Sequence, residues 1–205
     1  MRNFLIYLTF FLFFNLNYLK SEDLNLLKDY ETINLDGSIN VVIEIPAGNN
    51  IKKSLSEDGF QIINEYKSDK IRKVNYLPYP FNYGFLPRTL ESFDSGADGD
   101  PLDVILLGNR SEEGLVIKAK VIGVIVMNDN GERDNKILAT SFDEIFYKIN
   151  NISDLKKSYP GILEIIKIWL KNYKGGFTQI IEVKGKKSSL EYINKSMSSY
   201  KIKKK

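Results

Sequence analysis

The 205-residue chain contains no cysteine and no histidine. The first absence excludes disulfide frameworks, thiolate zinc sites and cysteine nucleophiles, and leaves the redox compartment open. The second removes imidazole as a general base, and with it serine–histidine nucleophile systems. Any catalysis must therefore rest on carboxylates, lysine, arginine, tyrosine and a metal ion. The phosphate-cradling pattern G-x-x-x-x-G-K-[ST] is also missing, so a nucleotide loop of that kind is excluded. There is no internal repeat. Charge of one sign is scarce as well: the formal net value is +3, and without Lys201, Lys203, Lys204 and Lys205 the remainder carries −1. A near-neutral body argues against a general nucleic-acid binder, whose affinity comes from neutralising phosphates. The terminal lysines, residues 201–205, read as a solvated basic tail.

With 43% hydrophobic and 27% charged residues, the chain suits one well-buried domain and is short for two. A segment of different character precedes that domain. Arg2 is followed by Phe4 to Phe14, nearly all apolar and without charge, and Asn15, Asn17 and Lys20 close the run. It is short for a membrane span and suits the apolar region of an export signal. No small-x-small cleavage site stands out near Ser21, so an uncleaved tether is the second reading and a misassigned start the third. Residues 1–22 are set apart as signal-like or anchor segment, and residues 23–200 as the single domain. An exported, periplasmic or tethered protein is expected, with a cytoplasmic one as the alternative. Membrane contact is expected only through residues 4–19.

Along the domain, Leu24, Leu26 and Leu27 suggest a short helix or an arm lying on the body. Val41–Ile45 reads as a strand stopped by Pro46. Residues 62–66 and 70–76 are expected to form a hairpin around Ser68-Asp69. Pro78 to Phe85 cannot be helical, because its two prolines force extended geometry on their predecessors. Leu115 to Met127 is the longest apolar run of the domain, and its β-branched content predicts a strand bent or bulged at Gly123. Asn130-Gly131 predicts a tight hairpin, with residues 137–140 returning. Ser153-Asp154 can cap a short helix, Pro160 can open a longer one ended by Gly175-Gly176, and 177–183 reads as a strand. Ser188 to Glu191 reads as a capping box for a final helix ending near Ser199. Strands first and helices last predict an α+β fold, a small antiparallel sheet or barrel with C-terminal helices.

The chemistry concentrates in Asp98-Gly99-Asp100-Pro101-Leu102-Asp103-Val104, three carboxylates within six residues at the entrance of an apolar run. Burying one unpaired carboxylate costs several kcal/mol or forces it to take a proton. A hard divalent cation with oxygen ligands relieves that repulsion; a solvated acidic turn is the other reading. Asp129 and Asp134 flank Asn130-Gly131 and form a second acidic mouth, either a plain polar turn or further metal ligands. The spacing of a calcium EF-hand loop is absent. Mg²⁺ prefers one or two carboxylates plus phosphate oxygens, which such an open arrangement supplies. Lys136, Tyr173, Lys174, Lys52, Arg72 and Tyr83 lie beside these turns, each surface decoration on its own. Together, carboxylates for metal and cations for phosphate are the two halves of a phosphoryl-transfer site. Without histidine, a metal-bound water is the available nucleophile and an aspartate the available base.

The acidic stretch resembles the signature of the soluble family I inorganic pyrophosphatases. The likeness extends through Val41–Pro46, Lys52, Tyr79 to Phe85, the M-x-D-x-G-E-x-D-x-K pattern from Met127 to Lys136, and Asn172-Tyr173-Lys174, covering residues 40 to 185. It implies a five-stranded OB-like barrel with flanking helices, and Mg²⁺-dependent hydrolysis of pyrophosphate to two phosphates by attack of a metal-bound water. By the same resemblance Asp98, Asp103, Asp129 and Asp134 are the metal ligands and Asp100 the general base. Lys52, Arg72, Tyr83, Lys136, Tyr173 and Lys174 are substrate-binding groups, and Glu44 supports the site. The chain departs from the family at Ser54, where many members carry glutamate in Lys-x-Glu. Near Arg72 the spacing is one residue short, and Lys70 and Lys73 are neighbouring cations that could serve instead. The family likeness also implies a homo-oligomer. The competing readings are an impaired family member and an OB-like module binding single-stranded nucleic acid, the latter opposed by the clustered aspartates.

Overall fold

The β-branched run after Gly114 forms the longest strand of the protein, and a barrel closes around it. The computed structural model describes residues 24–92, 96–176 and 178–203. In chain order the elements are β1 (Ile39–Ile45), β2 (Lys53–Leu55), β3 (Ile62–Asn64), β4 (Tyr66–Lys67), β5 (Lys70–Ile71), β6 (Asn82–Phe85), β7 (Asp103–Leu107) and β8 (Val116–Asp129). There follow β9 (Glu132–Arg133), β10 (Lys136–Ser141), α1 (Ile152–Ser158), α2 (Ile162–Asn172), β11 (Thr178–Gly185) and α3 (Lys186–Lys203).

The ring runs β1-β6-β7-β10-β8 and closes because the first part of β8 pairs back with β1, from Val42↔Val116 to Ile39↔Ala119. The later part of β8 pairs with β11 instead. One strand can serve two directions because it is bulged: Leu138 faces Gly123 and Ala139 faces Val121, leaving Ile122 as the extra residue. The bend therefore falls beside Gly123, where the sequence suggests it. The architecture is the expected five-stranded OB-like barrel with C-terminal helices, an α+β fold. One pairing differs from an antiparallel ring, since β7 and β10 run parallel, while the other four are antiparallel. Closure also requires Gly84, because a Cβ there would lie 1.8 Å from the Val42 carbonyl oxygen.

Both faces of the central strands are buried, and side chains alternate between two cores. Val104 and Leu106 of β7 join Ile137 and Ala139 of β10 in one, closed by Ile193 of α3. Ile105 and Leu107 join Leu138, Tyr83 and Tyr79 in the other, against Leu155 of α1 and Leu163, Ile166, Trp169 and Leu170 of α2. Asp103 and Lys136, two residues before Ile105 and Leu138, therefore project on the second face, at the end where its apolar content stops.

Local differences from the expected elements have local causes. Ser68 and Asp69 adopt left-handed φ values of 50° and 60° and make the predicted turn, but only two residues per strand pair there. Ile62–Asn64 pairs with β2 instead. The N-cap of α1 is Asn151, whose side chain accepts from the Asp154 amide at 2.9 Å. Pro160 stands outside α2, whose N-cap is Gly161 at φ 88°. The last helix starts at Lys186, ahead of the expected capping box, and continues through Lys203. Lys201 and Lys203 are thus in its last turn, where cations suit the helix dipole. The leucines near the start form an arm on the body: the Leu26 amide donates to the Gly59 carbonyl at 2.8 Å, and its side chain is buried. Among the described residues no helix is long and apolar enough to cross a membrane. The apolar segment assigned to residues 1–22 lies outside the described residues.

Candidate active site

The acidic stretch is held in shape by its own backbone before it reaches β7. Gly99 takes a φ of 86°, which favours glycine, and its amide donates to the Glu91 carbonyl at 2.9 Å. The Glu91 amide returns a bond to the Asp100 carbonyl at 2.7 Å, and the Asp100 amide donates to Asp98 Oδ1 at 3.1 Å. Past Pro101, the Leu102 amide donates to Thr89 Oγ1 at 2.9 Å, and the strand begins at Asp103. On the other side of the barrel mouth, Asn130 and Gly131 make the predicted tight turn with φ values of 52° and 92°. Asp129 and Glu132 pair across it, and the Asp134 amide donates to the Met127 carbonyl at 3.0 Å.

These two mouths open on one cavity of about 340 Å³. Its walls include Glu44, Lys52, Arg72, Tyr83, Asp98, Asp100, Asp103, Asp134, Lys136, Tyr173 and Lys174. Of the residues singled out in the sequence, only Asp129 does not line it; that carboxylate sits behind Lys174 and pairs with its ammonium. Arg72 reaches the cavity, whereas Lys70 and Lys73 do not line it.

Lys136 is the electrostatic centre. It is 2% exposed and pairs with both Asp103 and Asp134. Burial alone would depress its pKa, but the two carboxylates more than offset this and hold the ammonium well above its ordinary value. Burial likewise pushes the Asp134 carboxyl up, and Lys136 and Lys174 bring it below the usual range. Asp134 Oδ2 nevertheless accepts no hydrogen bond, and Lys174 Nζ lies 3.8 Å from it. Asp100 behaves differently, because among the described residues no cation pairs with it. The residue as a whole is exposed, but its carboxyl is pushed up to about 6 by partial desolvation in the cavity and by Asp98 and Asp103. Glu44, half-buried in the cavity wall, is pushed up to about 8 by desolvation and then by Asp103, despite Lys52 and the Leu55 amide at 3.2 Å. Burial raises the phenols of Tyr83 and Tyr173, so both remain protonated donors at neutral pH. Tyr173 is held by stacking on Trp169, with centroids 4.4 Å apart, and Trp169 Nε1 donates to the Leu77 carbonyl at 2.9 Å.

One residue that the sequence did not single out belongs to this wall. Glu65 pairs with Arg72 at 2.6 Å and with Lys52 at 4.0 Å. The same three residues are tied in a backbone triangle: the Lys52 amide donates to Arg72, Arg72 to Glu65 and Glu65 to Lys52, at 2.9, 2.8 and 2.9 Å. Glu65 thus supplies a carboxylate beside Lys52 where Ser54 brings none. Lys53, the other neighbour, turns to Glu113 at 2.7 Å.

Among the described residues no three carboxylates form a ready-made metal cage. Ammonium groups stand between them instead, so the acidic groups converge in pairs around Lys136 and Lys174. The donor set still fits a hard divalent ion: all its oxygens are carboxylate, and Asp134 Oδ2 is buried without a hydrogen-bond donor.

A family model described as inorganic pyrophosphatase matches residues 41–201. The chain belongs to the inorganic pyrophosphatase family. The inorganic pyrophosphatase of Saccharolobus solfataricus is 42% identical over 139 residues, covering 66% of this chain and 74% of that protein. Among solved structures, the type I inorganic pyrophosphatase of P falciparum superposes with a TM-score of 0.80 at 29% identity, covering 88% of this chain and 66% of that one. An N-terminally truncated vacuolar soluble pyrophosphatase of Trypanosoma cruzi, solved in complex with PPi, gives 0.77 at 26% identity over 87% and 76% of the two chains. Family membership makes the chain a hydrolase of the inorganic diphosphatase class with a metal-dependent chemistry.

Proposed function

We propose that this protein hydrolyses inorganic pyrophosphate to two phosphates with Mg²⁺ as cofactor, and that Asp100 is the general base. The observation carrying this reading is the cavity in which Asp100, without an ion pair among the described residues, shares the walls with cations and phenols. The truncated Trypanosoma cruzi relative that binds PPi supports the choice of substrate.

Asp98, Asp103, Asp129 and Asp134 would hold the metal ions. When bound there, Mg²⁺ neutralises charge on the substrate oxygens and lowers the pKa of water. The chain's own groups do the rest. Asp100, with its carboxyl near 6, is ionised at neutral pH and basic enough to accept the proton of the attacking water. Its position between Asp98 and Asp103 keeps it clear of the lysines, so it is not spent on an ion pair. Arg72 presents a planar fork of donors to phosphate oxygens, and Lys52 and Lys174 add point charges. Tyr83 and Tyr173 donate neutral hydrogen bonds. Lys136 is divided between Asp103 and Asp134; substrate oxygens and incoming cations can share those partners without leaving the ammonium unpaired. Donors fixed before the substrate arrives stabilise the charge that develops on the leaving phosphate.

The direct test is phosphate release from pyrophosphate by the purified chain with Mg²⁺ and with chelator. Release that requires the divalent ion is expected, and folded protein that releases none at any Mg²⁺ concentration would refute the reading. Self-association into a homo-oligomer belongs to the same proposal and is read by light scattering. For residues 1–22 the proposal remains export or tethering, with a cytoplasmic protein as the alternative; fractionation of the native host separates them.

A further inference from the structure

The two acidic sides of the cavity are fixed by different parts of the fold. Asp103 and Lys136 open β7 and β10, and the pairing of those strands from Val104↔Ile137 onward sets where both stand. Asp98 and Asp100 come before β7 and have no strand register to place them. Glu91 holds their turn instead. Its carbonyl accepts from the Gly99 amide at 2.9 Å, and its amide donates to the Asp100 carbonyl at 2.7 Å. Burial pushes the Glu91 carboxyl up, against the pull of Arg133 and a hydrogen bond with Ser196. Ser196 is a buried residue of α3, and the Leu90 amide donates to its carbonyl at 3.1 Å and to its hydroxyl at 3.0 Å. Glu91 is thereby tied to the body on one side and to the acidic turn on the other.

Arg133 reaches the same residue from the opposite mouth. It ends β9 and occupies the place that the pattern M-x-D-x-G-E-x-D-x-K leaves open between Glu132 and Asp134. Neighbours in an extended chain point to opposite sides, so Asp134 lines the cavity and Arg133 does not. Arg133 Nη2 lies 3.3 Å from Glu91 Oε2, with the two side chains 25% and 11% exposed. The Arg133 amide adds a second tie, donating to the Gly96 carbonyl at 2.7 Å. Lys136 joins Asp103 to Asp134 inside the cavity, whereas Glu91 and Arg133 join the two turns outside it. We propose that Glu91 and Arg133 are positioning residues, a clamp that sets the Asp98–Asp100 turn against the Asp129–Asp134 hairpin so that both can serve the same divalent ions. The inference rests on the reading of those aspartates as metal ligands of a pyrophosphatase. Without the ion pair the like charges of the two turns favour their separation, and a bound cation must first draw them together.

The test follows the Tm of the full chain by circular dichroism across a Mg²⁺ titration that starts in chelator, with phosphate release from pyrophosphate measured over the same range. The parent is compared with Arg133→Gln, Glu91→Gln, the double variant Glu91→Gln/Arg133→Gln, and Arg133→Lys. Groups that support metal ligands without touching the ion change its affinity by about tenfold or more. The Mg²⁺ concentration giving half of the Tm rise should therefore increase about tenfold in each single glutamine variant. In the double variant it should increase by about the same tenfold, because the two residues act as one pair. Arg133→Lys keeps the charge and should stay within about threefold of the parent. A Mg²⁺ midpoint that stays at the parent's while the metal-free Tm falls would reduce the pair to a structural contact and overturn the proposal. Fully multiplicative effects in the double variant would overturn it too, as would a parent whose Tm does not respond to Mg²⁺. Shifted midpoints in proteins that release no phosphate would uphold the clamp and refute pyrophosphate hydrolysis, so the two readings fail separately.

Discussion

Replacing Lys136 by methionine isolates the electrostatic core of the site. The ammonium is 2% exposed and is shared by Asp103 and Asp134, whose side chains are 25% and 13% exposed. Methionine preserves much of the volume of the lysine stem but leaves two neighbouring carboxylates without their common cation. Removing one partner of a buried ion pair costs about 3–5 kcal/mol. Lys174, 3.8 Å from Asp134 Oδ2, and the residual exposure of Asp103 point to the lower end. About 3 kcal/mol corresponds to a fall in Tm of roughly 6–12 °C for a domain of this size. The assay is thermal unfolding followed by circular dichroism in chelator, at about pH 8 so that proton uptake does not relieve the carboxylates. The same melts are then repeated with Mg²⁺. A cation that binds only the folded state stabilises it by about 2.7 kcal/mol at a hundred times its Kd. In the variant it also relieves the exposed repulsion, so the Mg²⁺-induced rise in Tm should exceed the parent's. A metal-free Tm within about 2 °C of the parent, or equal Mg²⁺ shifts, would refute the picture of Lys136 as a built-in counter-cation.

Two further substitutions test the scaffold and the wall. Gly84→Ala places a Cβ 1.8 Å from the Val42 carbonyl oxygen. It should destabilise the barrel by about 3 kcal/mol or prevent soluble folding, and unchanged denaturant stability would contradict the closure of β1 on β6. Glu65→Ala removes the partner of Arg72 and Lys52 and should lower kcat/KM for pyrophosphate about tenfold, the scale of one charge-assisted bond. Ser54→Glu in that background should recover part of the loss; no recovery would show that the two carboxylates are not equivalent.

Much of this was legible in the sequence because it rests on short-range chemistry. Asn130-Gly131 specifies its turn locally, and the bulge in β8 falls beside the only glycine in a β-branched strand. The acidic stretch declares itself because aspartate, glycine and proline leave few conformations to the residues before an apolar run. What the sequence did not give depends on pairings between distant segments. Glu65 sits in a short polar hairpin with no pattern around it, and its role emerges only when Arg72 and Lys52 are brought to the same edge. The parallel pairing of β7 with β10 is likewise decided by ring closure, since alternation reads the same in either direction. The sharing of Lys136 between two aspartates was invisible for the same reason: spacing puts Lys136 on the face of Asp134, but Asp103 arrives from another strand. Helix starts shifted at Asn151 and Lys186 because several polar residues there can cap, and packing chose among them.

The central claim concerns Asp100, which lines the cavity with a raised pKa and, among the described residues, no ion pair. Asp100→Asn keeps the shape and removes the base. Steady-state hydrolysis of pyrophosphate with saturating Mg²⁺, measured beside the thermal melt, should show kcat reduced about a thousandfold at unchanged Tm. A variant that folds as the parent does and retains near-full kcat would contradict the account.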